Sequence, residues 1–475
     1  MKTNLRDSVK TLTLVLLTLI FPSLLYAQWS APADISPGAI SAFLNESMGT
    51  CIGVSGDTLH VVYADKHSTK NVVINYTHSV DTGKTWSAPV PITSLTGYTY
   101  NPAIAVNGRN VHVVWRVIDT LTGKRASWYK HSTDGGNTWG PNVFLDSTAD
   151  WPAVAVSGAN VYMANDVVTS NSPYNTEIFF MRSTDNGVTW GPRKQLTFAI
   201  GRSEDEAIIA QGSHIHMSWN DNRGNIFQIF YKESSDYGVT WDSDVVVMPK
   251  TDYGTMVSID GAHTDVIATG HPTSNHYQVL LAQSADTGKT WASDKDITNN
   301  DTAHTYYYPD MVRNGNDLHV VTGSSIGAEY LHSGNGGSTW DPPFQFTGGS
   351  TFVAYTGCAL HIICINASHV YYLRNPTGNA GHCSITSVNT VENSDEVKVY
   401  PNPFTTKTTI EFSSSQKMEG LKLGVFDVLG HELVTTTFDK DNRVILGRDG
   451  LNSGIYFYRI FQNGTVIASG KLAVE

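Results

Sequence analysis

Small and β-branched residues recur along the chain in paired runs hinged on a glycine: PAIAVNGRNVHVVW (102–115), PAVAVSGANVYMAN (152–165) and AIIAQGSHIHMSWN (207–220). Weaker copies stand at 51–63, 257–269, 310–322 and 353–365. Such runs suit tightly packed strands, and Asn-Gly or Ser-Gly steps supply the positive φ of a two-residue hairpin, so each copy predicts two inner strands. After a variable loop a third strand follows, as in ASWYKHS (126–132) and EIFFMRS (177–183). A compact turn then leads to a fourth strand that starts at a tryptophan. No helical period intervenes, and four strands make one supersecondary unit.

The turn is the most regular mark in the chain. HSVDTGKTW, HSTDGGNTW, RSTDNGVTW, ESSDYGVTW, QSADTGKTW and HSGNGGSTW end at Trp86, Trp139, Trp190, Trp241, Trp291 and Trp340, with spacings of 53, 51, 51, 50 and 49 residues. A period of this length predicts an all-β array of four-stranded blades, a β-propeller. Seven hairpins against six turns leave one outer strand missing. QWSAPADIS, from Gln28, resembles TWSAPVPIT after the first turn, and Trp29 lies 57 residues before Trp86. The N-terminal strand is therefore expected to complete the last blade and close the ring, which predicts seven blades, with six as the alternative.

In each turn the acid (Asp81, Asp134, Asp185, Asp236, Asp286) is expected to accept backbone N–H bonds a residue or two ahead, while the tryptophan packs between sheets. Asn335 replaces the acid in the last copy and keeps a hydrogen-bonding side chain, which argues against proton transfer there. The repeated S-x-D-x-G-x-T-W resembles the Asp-box, or BNR repeat, of sialidase-like propellers. That resemblance implies a scaffold used by enzymes such as sialidases, and up-and-down blade connectivity sets the turns on the face opposite the loops that enter the inner strands.

Residues 1–27 read as a secretory signal, with Lys2, Arg6 and Lys10 before the apolar TLTLVLLTLIF and the small-residue site LYA. No later stretch is apolar enough to span a bilayer as a helix. The propeller is assigned to 28–383, a polar linker to 384–396, and a small antiparallel β-sandwich to 397–475. In that tail YPNPF (400–404), VFDVLG (425–430) and LNSGIYFYRI (451–460) resemble the C-terminal sorting domain of the type IX secretion system. The resemblance implies a Gram-negative bacterium of the Bacteroidota type, the type IX machinery as partner, and a secreted or surface-attached protein.

Composition narrows the partners. A formal charge of −12, with no basic run, excludes a nucleic-acid surface. Cys51, Cys358, Cys364 and Cys383 match no zinc spacing, and three disulfide pairings stay open. His112, His216, His319 and His361 recur at one repeat position, so packing or inter-blade hydrogen bonds are expected of them; no metal or cofactor is expected.

Ligand chemistry is expected on the face opposite the turns, where loops enter the inner strands: YTYNP, ADWP, RSEDE, TDYG and TYYYPD. There Tyr98, Tyr100, Trp151, Tyr253 and Tyr307, with Tyr306 and Tyr308, offer flat faces. Arg202, Asp205 and Asp310, with Asp252, offer charge, and the loops between second and third strands add Arg116, Asp166, Asp221 and Arg223. Aromatic platforms beside carboxylates suit sugars or a cationic peptide, so the expected partner is an extracellular glycan or protein. The expectation is a monomeric exported binding protein. The alternative is a glycoside hydrolase, exo-α-sialidase-like or otherwise, using Glu204 or Glu206 with Asp221. The Arg-Ile-Pro context of sialidases is absent from the sequence, and only Arg116, Arg202 and Arg223 are placed to form an arginine triad.

Overall fold

A computed structural model describes residues 29–45, 49–68, 71–93, 98–119, 121–251, 253–271, 276–299, 301–378, 396–413, 420–426, 432–448, 451–462 and 465–475. The signal segment, Asp252, Cys383 and nearly all of the linker lie outside these residues. The chain divides into two compact units, Met1–Cys383 and Ser384–Glu475.

The first unit is a seven-bladed β-propeller of antiparallel sheets. The inner strands of blades 2 to 7 are Tyr98–Asn107, Ala149–Ser157, Ser203–Gln211, Tyr253–Asp260, Tyr306–Asn314 and Gly349–Thr356. In blade 1 the inner position is split between Ala42–Phe43 and Ile52–Ser55, both pairing with Thr58–Ser68. A central channel of about 300 Å³ is lined by all seven blades, among them Ile52, Ile104, Val154, Ile208, Met256, Met311 and Val353. The apolar core is a series of layers between neighbouring blades rather than one mass, since the two faces of each sheet are buried against different neighbours.

The ring closes where the sequence placed the closure. Ala33 and Asp34 pair with Tyr372 and Tyr371 of blade 7, Ser30 N–H donates to Arg374 O at 2.8 Å, and Trp29 stacks on Phe344 of blade 6 at 5.4 Å. The short N-terminal strand becomes the outer strand of blade 7 and covers the edge of His369–Asn375.

Each aspartate turn is a clasp within and between blades. In blade 2 the Asp134 carboxylate accepts from the Thr138 N–H (2.8 Å), the Thr138 hydroxyl (2.7 Å) and the Ser132 hydroxyl (2.8 Å). The same set recurs around Asp81, Asp185, Asp236 and Asp286, and around Asn335 with the amide donating to Thr339. The acid reaches four residues ahead rather than one or two, because the Ser hydroxyl already binds the nearer N–H of Gly136. The fourth strand also begins later than expected: Trp139 precedes Val143–Asp146, held in the gap by an edge-on contact with Tyr76 of blade 1 at 4.9 Å.

Five histidines at the repeat position bond a tyrosine of their own blade: His60–Tyr76, His112–Tyr129, His216–Tyr231, His319–Tyr330 and His361–Tyr372, at 2.6–2.8 Å. Tyr76 then donates to Gly135 O of the next blade at 3.1 Å, and Tyr372 to Thr82 O of blade 1 at 3.4 Å.

The second unit stacks a three-stranded sheet (Glu396–Tyr400, Lys407–Ser413, Arg443–Gly447) on a four-stranded one (Lys422–Phe426, Glu432–Thr437, Gly454–Gln462, Thr465–Val474). Phe404, Ile410, Leu423, Ile460 and Leu472 fill its core. Among the cysteines, Cys358 is disulfide-bonded, whereas Cys51 and Cys364 are buried free thiols.

Candidate functional site

The inner strands of blades 2 to 6 share an irregularity. Their registers shift at Tyr100/Ala103, Asp150/Ala153, Glu204/Ala207, Tyr253/Thr255 and Tyr307/Asp310, and at each shift one residue is left-handed: Asn101, Trp151, Asp205, Gly254 and Tyr308. These are β-bulges at the same height in five consecutive blades, at the mouth opposite the aspartate turns. Such bulges re-aim side chains, and a left-handed Trp, Asp or Tyr costs of order 1–3 kcal/mol that surrounding contacts must offset.

Around the bulges of blades 2 to 4 the side chains converge. Arg116 ion-pairs with Asp150 and lies over the rings of Trp151 (4.5 Å) and Tyr100 (5.7 Å); Arg125 binds the other oxygen of Asp150. Tyr98 stacks on Tyr100 at 5.6 Å. Arg202 holds Glu204 through two bonds of 2.8 and 2.9 Å and faces the Tyr174 ring at 5.8 Å. Asn220 donates to Asp205 at 3.0 Å.

Beneath them lie Asp166 and Glu206, both buried. One oxygen of Asp166 and both of Glu206 have no hydrogen-bond partner among the described residues. Burial, reinforced by neighbouring carboxylates, holds both side chains well above the usual carboxylate range. Burial, with the charge of Asp205, raises the Glu204 carboxyl to about 7, although Arg202 opposes it. Asp205 is raised as well, chiefly by burial. The site therefore combines carboxyls whose titration burial shifts upward with three guanidiniums.

Other sequence-predicted residues stand apart. Asp310 is buried, accepting from the Met311 N–H (2.9 Å) and from Val353 of blade 7 (2.9 Å); its carboxyl, raised by burial to about 7, ties two inner strands. Asp221 is 1% exposed and engaged by Arg223, Ser203 and Trp219. Glu206 has no exposed surface, so direct contact with a ligand needs the residues above it to move. Tyr306 is buried and donates to Asp301, whereas Tyr307 is 39% exposed beside Tyr277 in blades 5 and 6. The Tyr253 side chain lies outside the described residues.

Arg116 is paired with Asp150, Arg202 with Glu204, and Arg223 with Asp221 and Asp244, so each of the three guanidiniums already has its own carboxylate partner. Asp150, Arg125, Tyr174 and the bulges themselves escaped sequence reasoning. A signal existed in three blades, where proline follows the left-handed residue inside a strand: Asn101-Pro102, Trp151-Pro152 and Tyr308-Pro309. An open cleft of about 600 Å³ beside Trp190 contains Arg182, Arg193 and Lys194, but each cation is already bonded to Tyr237 O, Asp146 or Val239 O.

Comparison with known proteins assigns the second unit. Residues 398–475 match the secretion system C-terminal sorting domain. The tail is a sorting domain. It directs the chain to the type IX secretion machinery, and so to secretion or attachment at the outer-membrane surface of a Gram-negative bacterium. Within the sorting domain, the YPNPF segment docks on the closing strand: Phe404 exchanges backbone bonds with Ala473 and Glu475 at 3.0 Å, and the Asn402 side chain brackets Lys471 and Ala473.

No curated protein matches the chain. Among solved structures, an ulvan lyase of a polysaccharide lyase family aligns at TM-score 0.52 and 9% identity, over 72% of this chain and 95% of its own. A Hadza microbial sialidase aligns at TM-score 0.42 and 13% identity, over 66% and 72%. An α-L-arabinofuranosidase of Fusarium graminearum aligns at 0.42 and 15%, over 58% and 92%. The first of these likenesses shows a shared propeller fold.

Proposed function

We propose that the propeller is an exported glycan-recognition module, led out by a signal peptide in a bacterium of the Bacteroidota type, whose site lies at the bulged mouth of blades 2 to 4. One observation carries this reading: the strained bulge at Trp151 sets its ring, with Tyr100, against Arg116, at the mouth where burial raises the carboxyls of Glu204 and Asp205. Guanidiniums donate, carboxyls accept and aromatic faces cover apolar sugar faces, so the chemistry suits a hydroxyl-rich ligand. Three arginines at the same mouth disfavour a cationic peptide.

Glycoside hydrolysis is the second reading. It is favoured by the Glu204 carboxyl at about 7, a value at which it is half protonated at neutral pH, as a general acid requires. The engaged arginines speak against a sialidase mechanism within that reading.

Glycan-array binding combined with a panel of model glycosides tests both. Trp151→Ala is expected to weaken binding at least tenfold, about 1.4 kcal/mol, while Tyr307→Ala leaves it nearly unchanged. Binding untouched by Trp151→Ala would remove the site from blades 2 to 4. Sugar release abolished by Glu204→Gln would establish the hydrolase; inactivity across the panel leaves recognition alone.

A further inference from the structure

We propose that His214, His216 and Glu233 form a site for one divalent transition-metal ion of the Zn²⁺ class, on the aspartate-turn face of blade 4. His214 and His216 are two apart on His214–Asp221 and so share one face of the strand. The register sets Glu233, on Gln228–Ser234, directly opposite His216. The ligand atoms of the three lie within 4.8 Å of one another, and His214 already bonds Glu233. Tetrahedral zinc, with bonds of about 2.0–2.2 Å to nitrogen and oxygen, needs the set to contract. His214 can supply that movement, because its side chain is 41% exposed, and the same exposure gives the ion an entry path and a solvent ligand.

The second imidazole is prepared for coordination. The Tyr231 hydroxyl lies 2.6 Å from His216 Nδ1 and 3.5 Å from Thr287 O; with its proton turned to Thr287 O, its oxygen accepts the His216 Nδ1–H. That tautomer leaves the lone pair on Nε2 and fixes the ring, the arrangement by which outer partners orient a metal-binding histidine.

The same His–Tyr pair occurs in blades 1 and 2, but there the cross-strand partner is a histidine, His78 or His131, and Thr58 or Asn110 stands at the position of His214. Blade 6 carries the same donor types in another order, Asp317, His319 and His332. Both ring nitrogens of His332 are already bonded, to Asp317 at 3.2 Å and Asp341 at 2.6 Å, so neither is open to an ion. Blade 4 departs from the repeat at two positions, both toward a ligand set. The packing role expected of the repeat histidines holds for His216 through Tyr231 and does not extend to His214, which lies off the repeat position.

The test is Zn²⁺ titration of the metal-stripped, exported chain, read by calorimetry and by bound-metal analysis after dialysis. One equivalent is expected, with His214→Ala and Glu233→Gln weakening it about 10- to 100-fold and Trp151→Ala leaving it unchanged. Zn²⁺ should raise the thermal midpoint of the parent chain and not that of His214→Ala. An unbound parent chain, or undiminished binding in both His214→Ala and Glu233→Gln, overturns the assignment. Because His214 is half exposed, its replacement leaves the fold intact, and circular dichroism of each variant verifies that.

Discussion

The clasp between blades rests on single atoms. A Cβ on Gly136 would stand 1.9 Å from the Tyr76 hydroxyl, and Gly83, Gly187 and Gly288 meet Tyr372, Tyr129 and Tyr231 in the same way. Gly136 also has φ +87, which a side chain disfavours. Gly158, in a hairpin turn at φ +59, has open space where its Cβ would be. The two positions separate strain from crowding. Gly158→Ala is expected to cost about 1 kcal/mol from backbone strain, and Gly136→Ala about 3 kcal/mol or more once overpacking is added. Urea midpoints of the two variants measure this, and equal costs would show that the tyrosine contact does not hold the blades. The glycine was legible in the repeat, since S-x-D-x-G-x-T-W names it six times. Its tyrosine partner was not, because Tyr76 lies about sixty residues from Gly136 and only the ring geometry joins blade n to blade n+1.

At the scale of elements, turns and bulged strands titrate in opposite directions. Hydrogen bonds from Thr and Ser hold Asp81, Asp134, Asp185, Asp236 and Asp286 down to about 2. Their folded values are depressed, so the stability they contribute is full above about pH 4 and is lost as pH falls toward 2. Glu204 and Asp310 are raised to about 7, and Asp166 and Glu206 are raised well above the usual range. For Glu204 and Asp310 stability is full below about pH 4 and is lost as pH rises through 7, and Asp166 and Glu206 act in the same direction. The denaturant midpoint is therefore expected to peak near pH 4–5 and decline on both sides, with Asp310→Asn flattening the neutral limb and Asp134→Asn the acid limb. A midpoint rising steadily to pH 8 would contradict the buried-acid assignment. Hydrophobic alternation made the strands legible, but a bulge adds one residue without changing residue types. The candidate mouth was thus readable as loops YTYNP, ADWP and RSEDE, while the convergence of Asp150, Arg125 and Asp166 depended on backbone geometry that alternation does not encode.

For the whole propeller the decisive contact joins the two ends of one ring. Counting hairpins against turns made the closure legible, because a missing outer strand and a spare QWSAPADIS call for each other. What the count did not contain is how Trp29 anchors it. The indole lies parallel to Phe344 and edge-on to Tyr330 at 5.0 Å, both in blade 6, while the strand beside it completes blade 7. One side chain thus fastens the closing strand to the blade next door. Trp29→Ala should lower stability by about 2 kcal/mol, the value of a partly buried aromatic with its ring contacts. The loss should also be local before it is global. The amides of Val370 and Arg374 donate to the Ser36 and Ser30 hydroxyls of the closing segment, at 2.8 and 2.9 Å. Hydrogen exchange in Trp29→Ala is expected to accelerate at these two amides while the central strands of blades 3 and 4 keep their protection. Uniform acceleration around the ring would mean that the blades unfold as one cooperative unit, with the closing strand no weaker than the rest. Unchanged exchange at Val370 and Arg374 would place the closure in backbone pairing alone.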